Sequence, residues 1–265
     1  LENWKAIDRQ VTEELWAKDR QRYFRECLRI QDEHGHIIPL ELNKNQRQVQ
    51  EKIDAQKKAG VPVRIIILKG RKAGTSTLGE AELFHAVRFH PADALVVAHD
   101  VATTEYLFSI TQRFYANLDK ADQLALEASN RRELHFSRRA DGREGGRILI
   151  ATAGTKTAGR GFTPLYLHCS EPPYYENAEE VMLALLNSVP STPESMVILE
   201  GTANMAGGWF YEQYWKAKRG ASAFEAVFVC WKDLEKYALR VSDPARFQSN
   251  LSSLERALQA KHSLS

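Results

Sequence analysis

The chain has few cysteines, only Cys27, Cys169 and Cys230 in 265 residues. An odd number without metal-type spacing excludes a disulfide framework and a thiolate zinc site, and points to a reducing compartment. Bulk charge of either sign is also missing: 36 Lys and Arg against 34 Asp and Glu leave a net charge of +2. Any contact with nucleic acid must then come from local clusters. No apolar run approaches the ~20 residues of a membrane span, and the opening residues, LENWKAIDRQ, hold no signal-peptide core. These absences read as a cytoplasmic protein with no membrane association. The chain opens on Leu1 rather than Met, which reads as a piece of a longer protein. What is abundant is apolar side chain, 43% of the residues, enough at this length for a substantial core.

The stretch Arg64 to Leu78, RIIILKGRKAGTSTL, organises the rest. An unbroken apolar run followed at once by glycines and hydroxyl residues predicts a buried strand, a phosphate-sized turn and a helix start. Unpaired amides and the positive dipole end of a helix form an anion site where glycine lets the backbone come close, and Gly70 and Gly74 supply that approach. Ser76 stands where a P-loop places its Mg²⁺-ligating hydroxyl, and Thr77 extends the first turn. The spacing departs from the standard P-loop. Three residues rather than four, Arg71, Lys72 and Ala73, separate the glycines, and Thr75 takes the lysine position. Positive charge sits just upstream at Lys69, Arg71 and Lys72. A glycine-rich turn with a solvated basic cluster fits the same residues.

Along the chain, Arg9 to Ile30 has the period of one amphipathic helix. Asn43 is the predicted N-cap of a helix carrying Gln46, Val49 and Ile53. A helix through Phe89 stops before Pro91, ALVVAH (Ala94 to His99) is a strand, and a helix spans about Thr103 to Leu118. From Arg131 to Arg147 the sequence carries six arginines and two glycine-containing turn pairs. It reads either as a solvated hairpin or as a basic protrusion for DNA phosphates or a neighbouring subunit. RILIAT is a strand and TAGTKTAGRGFT a long loop. LYLHCSE then ends in Ser170 and Glu171 before two prolines, which puts a carboxylate at the C-terminal edge of the sheet, where ligands sit. SMVILEGTAN repeats that plan, an aromatic-rich helix and the strand FEAVFVCW follow, and the tail beyond Ser242 reads as a lid or linker. Alternation of this kind predicts an α/β fold with a mainly parallel central sheet flanked by helices.

Three edge elements in order, GRKAGTST, GRGFTPLYLHCSE and EGTAN with its following helix, resemble the ATPase domain of tailed-phage large terminase subunits over roughly Leu40 to Trp231. The resemblance implies an additional-strand, catalytic-glutamate P-loop ATPase that uses ATP and Mg²⁺ to push double-stranded DNA into a procapsid in the host cytoplasm. Its implied partners are a portal protein, a small terminase subunit and further copies in a ring, a pentamer. It divides the chain into an N-terminal helical segment (1–40), the P-loop core (41–241) and a C-terminal lid or linker (242–265), with the family's nuclease domain absent. Carried over by position, Gly70, Lys72, Ala73, Gly74, Thr75, Ser76 and Thr77 line the phosphates, and Arg71 matches the arginine that opens the loop. Glu171 matches the catalytic glutamate, and Thr202 and Asn204 resemble the motif that senses the γ-phosphate. Gln46 resembles the adenine-side glutamine and Arg160 the arginine finger, while Ser76 and Ser170 fall at the Mg²⁺ positions. Thr75 replaces the usual lysine, which leaves charge neutralisation to Arg71, Lys72 or Lys69. Ser170 replaces the usual aspartate, which makes Mg²⁺ ligation weaker or water-mediated. A non-catalytic DNA-binding or portal-docking module, and a helicase-type ATPase on the same sheet, are the competing readings.

Overall fold

The structure is a computed structural model and describes residues 2–138, 142, 144–154, 163–234 and 241–262. The chain begins with α1 (Glu2–Lys18) and α2 (Arg20–Cys27). The single helix expected from Arg9 to Ile30 is therefore two. Asp19 takes extended backbone between them and caps α2 by accepting from the Arg22 amide, the ordinary use of a short acidic side chain at a helix start. A small hairpin, β1 (Arg29–Gln31) and β2 (Ile37–Pro39), leads to α3 (Lys44–Lys58). Asn43 caps α3 as predicted, in a reciprocal capping box with Gln46.

From there strands and helices alternate: β3 (Val63–Lys69), α4 (Thr75–Phe89), β4 (Ala94–Ala98) and α5 (Val101–Ala116). Next come β5 (Leu126–Ser129), β6 (Glu133–Phe136), β7 (Arg147–Thr152) and β8 (Tyr166–Ser170). A 3₁₀ turn at Pro172–Tyr174 leads into α6 (Ala178–Ser188), β9 (Met196–Thr202), α7 (Trp209–Lys218) and β10 (Glu225–Val229). In the tail, α8 (Pro244–Asn250) and α9 (Ser253–His262) bury no residue.

The eight strands β3 to β10 form one sheet in the order β10-β3-β9-β8-β4-β7-β6-β5. Neighbours from β10 to β7 run parallel, and β6 and β5 add antiparallel at one edge. The arginine-rich stretch, Arg131 to Arg147, starts between β5 and β6, includes β6 and ends at the start of β7. Among the described residues Arg138 pairs with Glu144 and Arg147 with Asp93. The parallel strands are continuous apolar runs because both faces are covered. Val63, Ile65, Ile67 and Ile198 pack with Phe84 and Phe114 beneath α3, α4 and α5. Ile66, Val97, Leu167 and Leu199 pack with Met182, Phe210 and Tyr214 of α6 and α7 on the other face. Each such side chain contributes about 1.5–3 kcal/mol.

The strand β9 lies between β3 and β8, which is the additional strand the resemblance implies. Parallel alignment sends the ends of β3, β8 and β9 to one edge, so Lys69, Ser170 and Thr202 meet there although they are far apart in sequence.

Candidate functional site

The turn after β3 is shaped by Gly74, whose backbone is left-handed at φ 80°. A Cβ there would also stand 2.8 Å from the Gln46 side chain, so any other residue would be strained and would push Gln46 off the loop. The start of α3 buttresses this turn. Gln46 donates from Nε2 to the Gly74 carbonyl at 2.8 Å, and Asn43 donates from Nδ2 to the Ala73 carbonyl at 3.2 Å. Gln46, assigned by the resemblance to the adenine side, thus lies against the loop backbone, with its Oε1 accepting from the Asn43 amide. No side chain caps α4, and its first internal bond runs from the Leu78 amide to Gly74. The amides of Thr75, Ser76 and Thr77 have no partner within the helix, the arrangement that receives an anion.

Glu171 follows β8 in left-handed backbone (φ 56°, ψ 47°), held by its amide to the Glu200 carbonyl at 2.7 Å. Its carboxylate is gripped at both oxygens. Oε2 accepts from the Thr202 amide at 2.8 Å and the Thr202 hydroxyl at 2.9 Å, and Oε1 accepts from Lys69 Nζ at 2.9 Å. Asn204 donates to the Pro173 carbonyl at 3.1 Å and so pins the turn that follows Glu171. Of the two residues that resemble the γ-phosphate-sensing motif, Thr202 bonds Glu171 directly and Asn204 bonds the turn after it.

Of the three basic residues near the loop, Lys69 reaches the carboxylates, at 2.9 Å from Glu171 and 2.8 Å from Glu200. Arg71 and Lys72 are exposed on the turn, Lys72 with φ 53°. Burial alone would lower the Lys69 pKa, but the two carboxylates outweigh it and the net shift is upward, so the ammonium stays charged.

Glu200 is the functional candidate that the sequence reading missed. It is fully buried in β9 and accepts from the Ser76 hydroxyl at 2.8 Å and the Thr75 hydroxyl at 3.1 Å, besides pairing with Lys69. Thr75, in the usual lysine position, is itself buried and turned to this carboxylate. His168 of β8 stands 3.7 Å from Glu200 and 2.8 Å from Glu80 of α4, and the Thr111 hydroxyl donates to Glu80 at 2.6 Å. α4 can sit this close to the His168 ring because residue 79 is glycine, where a Cβ would come within 2.7 Å. Burial pushes the His168 pKa down, but Glu200 and Glu80 push it further up, to about 9, and the ring is cationic at neutral pH. Burial opposes ionisation of Glu200 too, yet Lys69 and His168 hold its pKa below the usual carboxylate range. A lone acidic residue inside the apolar run MVILEG was the available signal, since a buried strand keeps a charge only when it is paired.

Among the described residues no group of three His, Cys, Asp or Glu side chains gathers as a metal cluster. The side-chain oxygens of Ser76, Glu200 and Glu171 are hard donors, and Mg²⁺ in nucleotide sites takes most of its ligands from phosphate and water, so the residues present fit that ion. Ser170 is buried and is the β8 register partner of Glu200. Arg160 lies outside the described residues. A cavity of about 520 Å³ lies against the α6–α7 face of the sheet and reaches the turns that follow Glu171 and Thr202, with Leu68, Pro172, Pro173, Asn204, Phe210 and Tyr214 in its lining.

No family model and no curated protein matches the sequence. Solved structures match the fold. The HK97 bacteriophage large terminase superposes with a TM-score of 0.61 at 13% identity, over 93% of this chain and 51% of that one. The large terminase of a thermophilic bacteriophage gives 0.58 at 11%, over 81% and 52%. The ATPase domain of the Thermus phage P74-26 large terminase gives 0.55 at 16%, over 78% and 89%. The fold is that of a large terminase ATPase domain. The mainly parallel α/β architecture expected from the sequence is thereby borne out. This terminase-like chain spans about half the length of the HK97 and thermophilic-phage proteins and corresponds to most of the P74-26 ATPase domain. The thermophilic-phage large terminase is also known in complex with ADP, a structure that superposes with a TM-score of 0.53 at 12% identity.

Proposed function

We propose that the chain is the ATP-hydrolysing motor domain of a phage large terminase and drives double-stranded DNA into a procapsid. The observation that carries this reading is the Glu171 carboxylate at the edge of an uncapped, glycine-turned helix N-terminus, held by Thr202 and Lys69. Phosphoryl transfer is chiefly positioning and electrostatics. The α4 amides and the loop from Gly70 to Thr77 cradle the phosphates. Lys69 supplies the charge that Thr75 lacks, with Arg71 and Lys72 adding charge from the solvent side. Glu171 orients and polarises the attacking water. Thr202 touches Glu171 through two atoms, so a change at the γ-phosphate is transmitted to β9 and to the turn held by Asn204. Mg²⁺, when bound with the nucleotide at Ser76, neutralises charge on the β and γ oxygens. Double-stranded DNA, a portal protein and a small terminase subunit are the partners of this reading, with a ring of five copies working in the host cytoplasm. Residues 41–241 form the core, between the helical segment 1–40 and the lid or linker 242–265. Arg160 acts in trans on a neighbour's phosphates.

The deciding experiment compares the parent with Glu171→Gln in ATP turnover, with and without double-stranded DNA. The variant is expected to bind ATP as the parent does and to lose turnover by about 100-fold or more. Equal turnover at matched affinity would overturn the assignment. Mixing Arg160→Ala with Glu171→Gln should restore part of the activity where copies assemble, and no recovery in demonstrated mixed rings would place Arg160 on its own subunit's phosphates. Lys69→Met should weaken triphosphate binding more than Arg71→Ala with Lys72→Ala does, and the reverse order would move the charge to the outer loop.

A further inference from the structure

We infer that Glu200 positions the Mg²⁺-binding hydroxyl of this site, doing from β9 the work for which position 170 of β8 holds only a serine; the inference rests on the nucleotide reading above. A hydroxyl that gives a lone pair to a hard cation needs an acceptor for its own proton, and P-loop sites usually supply an aspartate at the end of the neighbouring strand. Here the Ser76 hydroxyl donates to Glu200 Oε1 at 2.8 Å, which fixes its proton toward the sheet and leaves its lone pairs for a ligand.

The register explains how the carboxylate can move from one strand to the next. Ser170 and Glu200 are direct partners on adjacent parallel strands, and their side chains emerge from the same face of the sheet, ~4.8 Å apart in backbone. Both are buried, at 2% and 0% exposure. Two unpaired carboxylates side by side in such a site would repel and desolvate each other, so the pair accommodates one anion, and the small side chain at 170 leaves it to 200. A role as mere counterion to Lys69 does not account for the rest of the geometry, because Glu171 already pairs with Lys69 at 2.9 Å. It also leaves unexplained why both hydroxyls of the first α4 turn, Thr75 at 3.1 Å and Ser76 at 2.8 Å, converge on Glu200. Lys69 and Thr75 on Oε2 and Ser76 on Oε1 engage both carboxylate oxygens, so the orientation of the carboxylate and the position of Ser76 are tied together.

The test measures the affinity of a fluorescent ATP analogue with Mg²⁺ and with EDTA in the parent, in Glu200→Gln and in Glu200→Gln with Ser170→Asp, with thermal melts to confirm folding. In the parent, Mg²⁺ is expected to tighten binding. In Glu200→Gln the Mg²⁺-dependent gain should shrink at least ten-fold while metal-free affinity holds or rises, since Lys69 is freed for phosphate. Ser170→Asp in that background returns the carboxylate to the neighbouring strand and should restore most of the gain. A folded Glu200→Gln that keeps the parental gain overturns the inference and leaves the ATPase reading intact. A parent that binds no nucleotide overturns both. Should Glu200→Gln not fold, the double variant, which conserves the buried charge, decides alone: folded with the parental gain it supports the inference, and folded without it the inference fails.

Discussion

Two carboxylates on α4, Glu80 and Glu82, are two residues apart and equally buried at 0% exposure, yet they belong to different machines. Two residues along a helix turn the side chain to the opposite side. Glu82 faces away from the sheet, where Arg20 Nε lies 2.9 Å from it, Lys57 3.7 Å and the Gln50 amide 3.4 Å. These partners come from α2 and α3, and the cluster reaches solvent through Lys57 and through Asp54 on Arg20, so it braces the N-terminal helices. Glu80 faces the sheet and meets His168, which leads through Glu200 and Lys69 to Glu171 at the mouth of the phosphate turn. Burial and residue type are identical. What separates brace from site is where the chain of partners ends.

The comparison can be broken most forcefully at Glu82. Glu82→Ala strands Arg20 and Lys57 without their common anion and should cost about 3–5 kcal/mol in urea unfolding, while nucleotide affinity of the folded fraction stays at the parental value. A ten-fold loss of affinity with little loss of stability would show that the brace belongs to the site. Next in size is the effect of pH on two histidines, His168 of β8 packed against α4 and His85 within α4 itself. His168, raised to about 9 from an ordinary 6.5, contributes its full stabilisation below pH 6.5 and loses it as pH rises through 9, a difference of about 3 kcal/mol at most. His85, beside Glu82, Arg20 and Lys57, is lowered to about 4, mainly by burial, and its Nε2 donates to the Trp16 carbonyl at 2.8 Å. It contributes above pH 6.5 and loses that contribution as pH falls toward 4. Unfolding curves across this range should show His168→Gln flattening the alkaline limb and His85→Gln the acid limb; exchanged limbs would refute the assignment. The smallest effect is expected at Asp54, the half-exposed partner of Arg20. Asp54→Asn should change stability by less than about 1 kcal/mol, and a larger loss would mean that the brace depends on its solvent end.

The strands were legible because burial on both faces leaves uninterrupted apolar runs, and Glu171 was legible because a carboxylate between such a run and two prolines can only stand at a strand end. Lys69 was visible as charge near the turn, but the sequence does not say which of three neighbouring cations points inward. That depends on strand alternation at the last residue of β3, where Ile65, Ile67 and Lys69 share a face. Glu200, His168 and Glu80 were illegible as a group because they stand on three elements far apart in sequence, and nothing in α4 tells the sheet-facing Glu80 from Glu82. Their pairing comes from the insertion of β9 between β3 and β8. The break at Asp19 was hidden for the converse reason: the apolar period runs through both helices, and only the cap marks the boundary.

The left-handed backbone at Glu171 costs a residue with a Cβ about 1–3 kcal/mol that glycine would not incur. A library randomised at this one codon and screened only for survival of heating should therefore drift toward glycine. If Glu171 is the catalytic carboxylate proposed above, the same library screened for ATP turnover should discard glycine at once, so that heat and turnover select opposite residues at one position.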